Sequence, residues 1–171
     1  MIKQLLFPAL LFAICALLPS CYSFKGISIP PSSKTFAMPN IQVVATQADA
    51  ITALQLTEKF KQKVLQTTRL TYNADAPDIE FTGSITAFGI QSLAPSANQQ
   101  SQVSRFKMTV LMNYKNTKDD NPVTSERSQP FERFVDFDPA TQNFEAIRTT
   151  LIKQVNDLLI EDIYNWAFTN W

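Results

Sequence analysis

The sequence predicts an α+β fold, a two-layer sandwich in which two helices pack on one face of a four-stranded mixed sheet. Two observations predict it. In two long segments apolar residues recur every three or four positions, the spacing of an amphipathic helix. Between these segments apolar and polar residues alternate, the pattern of strands with one buried face. One short strand before the first helix completes the element order β-α-β-β-β-α.

The first strand and the first helix are expected within residues 41–68. Residues 41–45 are mostly apolar and β-branched, which favours a short strand. Residues 49–68 contain neither glycine nor proline, and Asp49 suits the positive end of a helix dipole. The apolar residues that share one face of this helix are Ala53, Leu56, Phe60 and Val64.

An antiparallel meander of three long strands is expected next. Alternation of apolar and polar residues marks the strands as residues 79–90, 106–114 and 125–137. In the first of them the apolar phase shifts after Ala87, which predicts a bulge or bend near Gly89. The composition of residues 116–122 is typical of a turn.

A long amphipathic helix is expected to close the chain after Pro139. Apolar residues at helical spacing are Phe144, Ile147, Leu151, Val155, Leu158, Leu159, Ile163 and Trp166. The aromatic residues Trp166, Phe168 and Trp171 either complete the core or seat against a barrel or membrane interface. With both helices on one side, the opposite sheet face is left open to water or to a partner.

The N-terminal segment predicts a lipoprotein. An apolar run from Leu5 to Leu18 is shorter than the roughly 20 residues that a membrane span needs. An aliphatic residue three positions before a cysteine, with the small Ser20 directly before Cys21, is a lipobox-like site. We expect cleavage between Ser20 and Cys21 and a diacylglyceryl group on the Cys21 thiol. The alternatives are an ordinary secretory signal with a free thiol, or a short membrane anchor.

This reading divides the chain into a signal peptide at residues 1–20, a lipidated tether at 21–40 and a folded domain at 41–171. Cys21 is the only cysteine of the mature chain, so no internal disulfide is expected. Tyr22 stands where an aspartate is the familiar signal for inner-membrane retention. By these sorting rules the domain is expected at the outer membrane, held by lipid to its inner leaflet and facing the periplasm.

Composition argues against several classes of function. The formal net charge is zero, which disfavours nucleic-acid binding. Without histidine, and with its one mature cysteine acylated, the chain lacks the residues for Ser-His-Asp or Cys-His catalysis and for the usual zinc sites. Neighbouring acids remain a possible carboxylate pair, but they lie in turns or at adjacent helix positions: Asp119-Asp120, Asp136 with Asp138, and Glu161-Asp162. We therefore expect no enzymatic activity, no metal and no cofactor other than the covalent lipid.

Two groups of cations are candidate contacts for anionic partners. Arg105 and Lys107 share the polar side of a predicted strand and can meet the phosphates of an anionic partner. The lysines of the first helix, Lys59, Lys61 and Lys63, lie mainly off its apolar face. The alternative for both groups is a solvated surface that keeps the domain soluble.

The start and end of the mature chain, together with the element order, resemble the lipopolysaccharide-assembly lipoprotein LptE. The start reads Cys21-Tyr22-Ser23-Phe24-Lys25-Gly26, followed by Ser28-Ile29-Pro30-Pro31. The end reads Glu161-Asp162-Ile163-Tyr164-Asn165-Trp166-Ala167-Phe168-Thr169-Asn170-Trp171. The middle of the chain is similar mainly in its pattern.

The resemblance implies that the chain plugs the large outer-membrane barrel LptD, assists its assembly and helps to pass lipopolysaccharide to the outer leaflet. It implies no cofactor and no bond-making step. No residue is assigned to lipopolysaccharide by the resemblance. The alternative is a general periplasm-facing binding or scaffold lipoprotein with the same two-layer fold.

Overall fold

The architecture is that of a two-layer α+β sandwich, as the sequence predicts. A computed structural model describes residues 29–93 and 103–169. The elements in this part of the chain are β1 Thr35–Ala37, β2 Gln42–Val43, α1 Ala50–Thr67, β3 Thr71–Tyr72, β4 Ile79–Leu93, β5 Val103–Asn116, α2 Pro122–Ser125, β6 Glu126–Phe137 and α3 Phe144–Phe168. The long helices α1 and α3 form one layer and the sheet forms the other.

The predicted meander of three long strands is the main part of the sheet. The strands β4, β5 and β6 pair in antiparallel order, and the full strand order is β3-β1-β4-β5-β6. The short strands β1 and β2 pair in parallel with successive parts of β4. One sheet edge is therefore the two-residue β3, whereas the other is the twelve-residue β6.

The packed domain begins earlier than the boundary expected at residue 41. The strand β1 lies inside the segment predicted to be a tether, and Phe36 and Met38 are buried in the core. The prolines around β1 suggested an extended linker, but Phe36 and Ala37 pair with residues 79 and 80 of β4. The strands β1 and β3 bring the sheet to six strands instead of four.

The bulge in β4 lies nearer its start than predicted. The pairing register with β5 shifts between Ile85 and Ala87, so Thr86 is the extra residue and Gly89 is not. Ile85 is fully buried and Phe88 is half-buried against the core. Inserting Thr86 between them therefore keeps both apolar side chains on the helix-facing side.

The two long helices run parallel to each other. Ion pairs join them at successive heights: Asp49–Arg148 at 2.9 Å, Lys59–Asp157 at 2.6 Å and Lys63–Glu161 at 2.6 Å. The α1 N-cap is Asp49, which accepts from the backbone N–H of Thr52. This hydrogen bond, more than the nearby Arg148, holds the pKa of the Asp49 carboxyl below its ordinary value.

The parallel helices give the domain two distinct ends. At one end the N-terminal residues of both helices lie beside residues 88–90, in the second half of β4; we call this the hairpin end. At the other end Arg69, just after α1, donates to the carbonyls of Ile29 and Pro30 at 3.0 and 2.8 Å. We call this the anchor end, because the described chain enters there.

The core lies between the sheet and the helices and is rich in aromatic side chains. Phe81 is fully buried, and its ring meets those of Phe60, Tyr114 and Phe168 at 5.1, 5.5 and 5.7 Å between centroids. Trp166 packs on Phe131 at 5.4 Å. Core packing is therefore confirmed for Trp166 and Phe168, whereas Trp171 lies outside the described residues.

Candidate functional surface

The sheet face that points away from the helices carries many polar side chains that bond to one another across the strands. We call it the outer face. Asn113 of β5 donates to Thr82 of β4 at 3.2 Å and accepts from Ser128 of β6 at 2.7 Å. Nearer the hairpin end Thr109 donates to Glu132 at 3.1 Å. These cross-strand contacts make a wet, hydrogen-bonding surface rather than an apolar one.

Arg105 and Lys107 lie on the outer face, as predicted, and both have carboxylate partners. Arg105 donates twice to Asp136, at 2.7 and 2.9 Å, and its guanidinium lies 3.6 Å from the centroid of the Phe134 ring. This two-pronged contact raises the pKa of Arg105 and lowers that of Asp136. Lys107 lies 3.2 Å from Glu132. An incoming phosphate must therefore compete with carboxylates already in place.

The helix lysines are also paired. Lys59 and Lys63 bridge to α3, and Lys61 lies 2.9 Å from Glu58 within α1. Lys61 also lies 5.1 Å from the centroid of the Tyr72 ring. These contacts favour the interpretation that the lysines form a solvated surface. Two of them, Lys59 and Lys63, also join α1 to α3.

The neighbouring acids singled out in the sequence make separate structural contacts. Glu161 pairs with Lys63 of α1, whereas Asp162 pairs with Arg133 of β6. In the β5–β6 turn Asp119 accepts from the Thr124 hydroxyl at 2.7 Å, which lowers the pKa of the Asp119 carboxyl. Within residues 29–93 and 103–169 no three acids or other metal-binding side chains gather closely enough to hold a metal ion.

Arg127 is a residue whose role the sequence reasoning missed. It lies on the helix-facing side of β6, where it donates to the last carbonyls of α3, Trp166 at 3.0 Å and Ala167 at 3.1 Å. Its guanidinium lies against two neighbouring rings, 4.6 Å from the Tyr114 centroid and 5.0 Å from that of Trp166. The alternation of β6 predicts that Arg127 lies on the same side as Phe131. Its partners could not be predicted, because the end of α3 is distant in sequence.

A cleft of about 490 Å³ opens at the hairpin end. Phe88, Ile90 and Phe144 supply apolar walls, and Arg148 lies 5.5 Å from the centroid of the Phe88 ring. The Arg148 charge is already paired with Asp49. The cleft has the size of a small-ligand site, but Arg148, the cation of its lining, already has a carboxylate partner outside that lining.

The described elements define a small two-layer α+β domain. Among the described helices, none combines the length and the apolar character that a membrane crossing requires. No family model and no curated protein matches the chain. Solved structures do resemble it, at sequence identities that show a shared fold and nothing more.

Two of these structures share most of the architecture. A hypothetical protein from Chlamydia trachomatis aligns with a TM-score of 0.51 and 5% identity, over 81% of this chain and 100% of the other. A Helicobacter pylori protein, described as a homologue of a neuraminyllactose-binding hemagglutinin, aligns with a TM-score of 0.51 and 10% identity, over 84% and 88%. A minor lipoprotein from Acinetobacter baumannii aligns more weakly, with a TM-score of 0.44 and 18% identity over 80% and 91%.

Proposed function

We propose that this chain is an outer-membrane lipoprotein, anchored by lipid on Cys21, that plugs an LptD-like barrel and assists its assembly and its transport of lipopolysaccharide. The observation that carries the proposal is the order of parts: a lipobox-like Leu18-Pro19-Ser20-Cys21, then strand, helix, three-strand meander and helix, then the LptE-like ending. Residues 1–28 and 170–171 lie outside the described residues, so the lipobox is argued from sequence alone.

The dimensions of the domain support a role as a plug. The strands β4, β5 and β6 have 15, 14 and 12 residues, whereas strands commonly have about 5–6. Five strands side by side are about 20–24 Å wide. The helix layer adds the thickness of one helix, about 10–12 Å. The result is a narrow, elongated domain, and only barrels with many strands leave a lumen wide enough to hold one.

The chemistry of the outer face also supports it. A plug inside a barrel must face water and polar lumenal side chains rather than lipid. The outer face meets this need, because its hydroxyl, amide and paired charged groups bond across the strands. Arg105 and Lys107 are proposed contacts for lipid A phosphates. To bind one, each cation would give up its carboxylate partner, Asp136 or Glu132, for a phosphate that is also negatively charged.

Lipidation is tested by the variant Cys21→Ser. Without the thiol no diacylglyceryl group can be attached, and we expect unprocessed precursor and loss of the acylated, membrane-bound form. Fractionation of cell envelopes and incorporation of labelled palmitate measure this result. Cys15→Ser is the matched control, because it removes a cysteine from the signal segment only. Normal processing and labelling of the Cys21→Ser variant would contradict lipidation.

The role in transport is tested by capture and by depletion. We expect the tagged, full-length lipoprotein, extracted from envelopes in mild detergent, to copurify with a large heat-modifiable β-barrel. Depletion should lower both the amount of correctly assembled barrel and the lipopolysaccharide on the cell surface. Capture without a barrel, together with unchanged surface lipopolysaccharide, would overturn the proposal. A small ligand recovered in its place would favour the general binding lipoprotein.

A further inference from the structure

We propose that the edge of β6 at Phe131–Phe137 is a docking site for one extended strand of another protein. The strand β6 ends the sheet, and among residues 29–93 and 103–169 it pairs with β5 alone. Half of its backbone N–H and C=O groups therefore face away from the sheet. This proposal concerns a specific surface and does not require that the partner be a barrel.

The edge lacks the features by which proteins usually prevent strand addition. Edges are commonly protected by short strands, by prolines, or by charged side chains that project across them. Pro130 protects only the boundary of the segment, and Phe131–Phe137 contains no proline. A run of this length matches an ordinary β-strand.

The charged side chains of this segment are all held back over the domain. On the outer face Glu132 pairs with Lys107 at 3.2 Å, and Asp136 bonds Arg105 at 2.7 Å. On the helix-facing side Arg133 donates to Asp162 of α3 at 2.6 Å. Because each bond draws a side chain toward β5 or α3, none of these charges extends over the free backbone.

Large exposed apolar side chains flank the same stretch on both sides. Phe134 lies on the outer face with 42% of its surface exposed. Leu158 of α3 is 44% exposed and lies one turn before Asp162, so it shares the side of the helix that faces β6. An added strand sends alternate side chains to opposite faces. One strand can therefore cover Phe134 with one residue and Leu158 with the next.

The charges of β6 favour a different protein over a second copy of this chain. The acids Glu126, Glu132 and Asp136 all lie on the outer face, whereas Arg127 and Arg133 lie on the helix-facing side. If two copies paired through β6, the acids on the outer face of one copy would lie beside those of the other. The arginines on the helix-facing side would do the same, and neighbouring like charges are unfavourable. The other sheet edge of a second copy, β3, has only two residues. The fitting partner is an extended segment with apolar residues on both faces and no acid beside the acidic row.

The first test measures shielding in the envelope. The variants Phe134→Cys and Leu158→Cys add thiols to the full-length protein, and Ile51→Cys, at an exposed position on α1, is the matched control. Labelling by a maleimide-polyethylene glycol is compared between isolated native envelopes and the same protein purified in detergent. We expect labelling at 134 and 158 to be at least tenfold slower in envelopes, and labelling at 51 to be unchanged. Equal rates in both preparations would overturn the proposal.

The second test asks whether backbone pairing causes the shielding. Amides of successive antiparallel residues point alternately toward β5 and toward the free edge. Of Glu132→Pro and Val135→Pro, one should therefore lower the melting temperature strongly, and the other should leave it nearly unchanged. In the tolerated variant we expect labelling at 158 in envelopes to rise about tenfold. If neither variant folds, Leu158→Lys should produce the same rise at 134.

Other outcomes identify other occupants and overturn the proposal. Shielding that survives the tolerated proline means that side chains alone cover the edge. Slow labelling of the purified protein that increases with its concentration means that a second copy binds, and slow labelling at every concentration means that the chain covers its own edge. One further outcome separates this proposal from the proposed function. If the shielding disappears in the tolerated proline variant and no barrel copurifies, the docking edge is supported and the proposed function fails.

Discussion

Replacing Phe81 by alanine is expected to lower the free energy of unfolding by about 3–5 kcal/mol, the cost typical of emptying a buried phenylalanine site. The Phe81 side chain is fully buried in β4 and lies against the rings of Phe60 in α1 and Phe168 in α3. It therefore fills the space where both helices meet the sheet. A protein of ordinary stability would retain little margin after this loss.

Urea denaturation of a purified chain that begins at Tyr22, without the signal segment and Cys21, measures this effect without lipid or detergent. Val123→Ala is the matched control, because Val123 is 75% exposed and should change stability by no more than about 0.5 kcal/mol. Equal midpoints for the Phe81→Ala and Val123→Ala variants would show that the packing around the ring contributes far less than its burial implies.

Replacing Arg127 by methionine is expected to cost about 2–4 kcal/mol, although the residue lies near the end of an edge strand. The guanidinium satisfies the carbonyls of Trp166 and Ala167 at the end of α3, where the helix dipole is negative. It also makes cation–π contacts with the Tyr114 and Trp166 rings. Methionine keeps most of the apolar volume, so the loss measured is mainly that of the charge and its hydrogen bonds.

The same denaturation assay tests the role of Arg127. Arg127→Lys should recover part of the stability, because an ammonium keeps the charge but loses the planar, two-pronged contact. Lys115→Met is the control: Lys115 lies near the end of β5 in an exposed pair with Glu126 and should contribute about 0–1 kcal/mol. If the Arg127→Met variant behaves like the Lys115→Met variant, Arg127 is not what secures the end of α3.

The sequence was informative wherever a periodic pattern ran for several turns or residues. The helices α1 and α3 and the strands β4–β6 are long enough for apolar spacing to reveal their type and their buried face. The strands β1 and β3 have three and two residues, too few to show any alternation, and were missed. The bulge was predicted near Gly89 because Ala87 was assigned to the buried row of β4. Ala87 pairs with Thr109 of the outer face, and the register change falls at Thr86.

The surface was harder to predict than the core, because its contacts join residues far apart in the chain. The outer-face position of Arg105 and Lys107 follows from alternation, but their acidic partners lie on another strand. Likewise, the lysines of α1 were visible as a charged group, but their pairing with α3 required knowing that the helices run parallel. Burial is a local pattern, whereas choice of partner depends on the completed fold.

The anchor end and the hairpin end are separated by a distance close to the thickness of a membrane. Cys21 precedes Ile29 by eight positions, which span at most about 28 Å when fully extended. From the anchor end, the 15 residues of β4 run about 47 Å toward the hairpin end. A bilayer with its headgroups is about 40–45 Å thick. With the proposed lipid on Cys21, a domain standing upright over this anchor is thus long enough to reach the level of both leaflets at once.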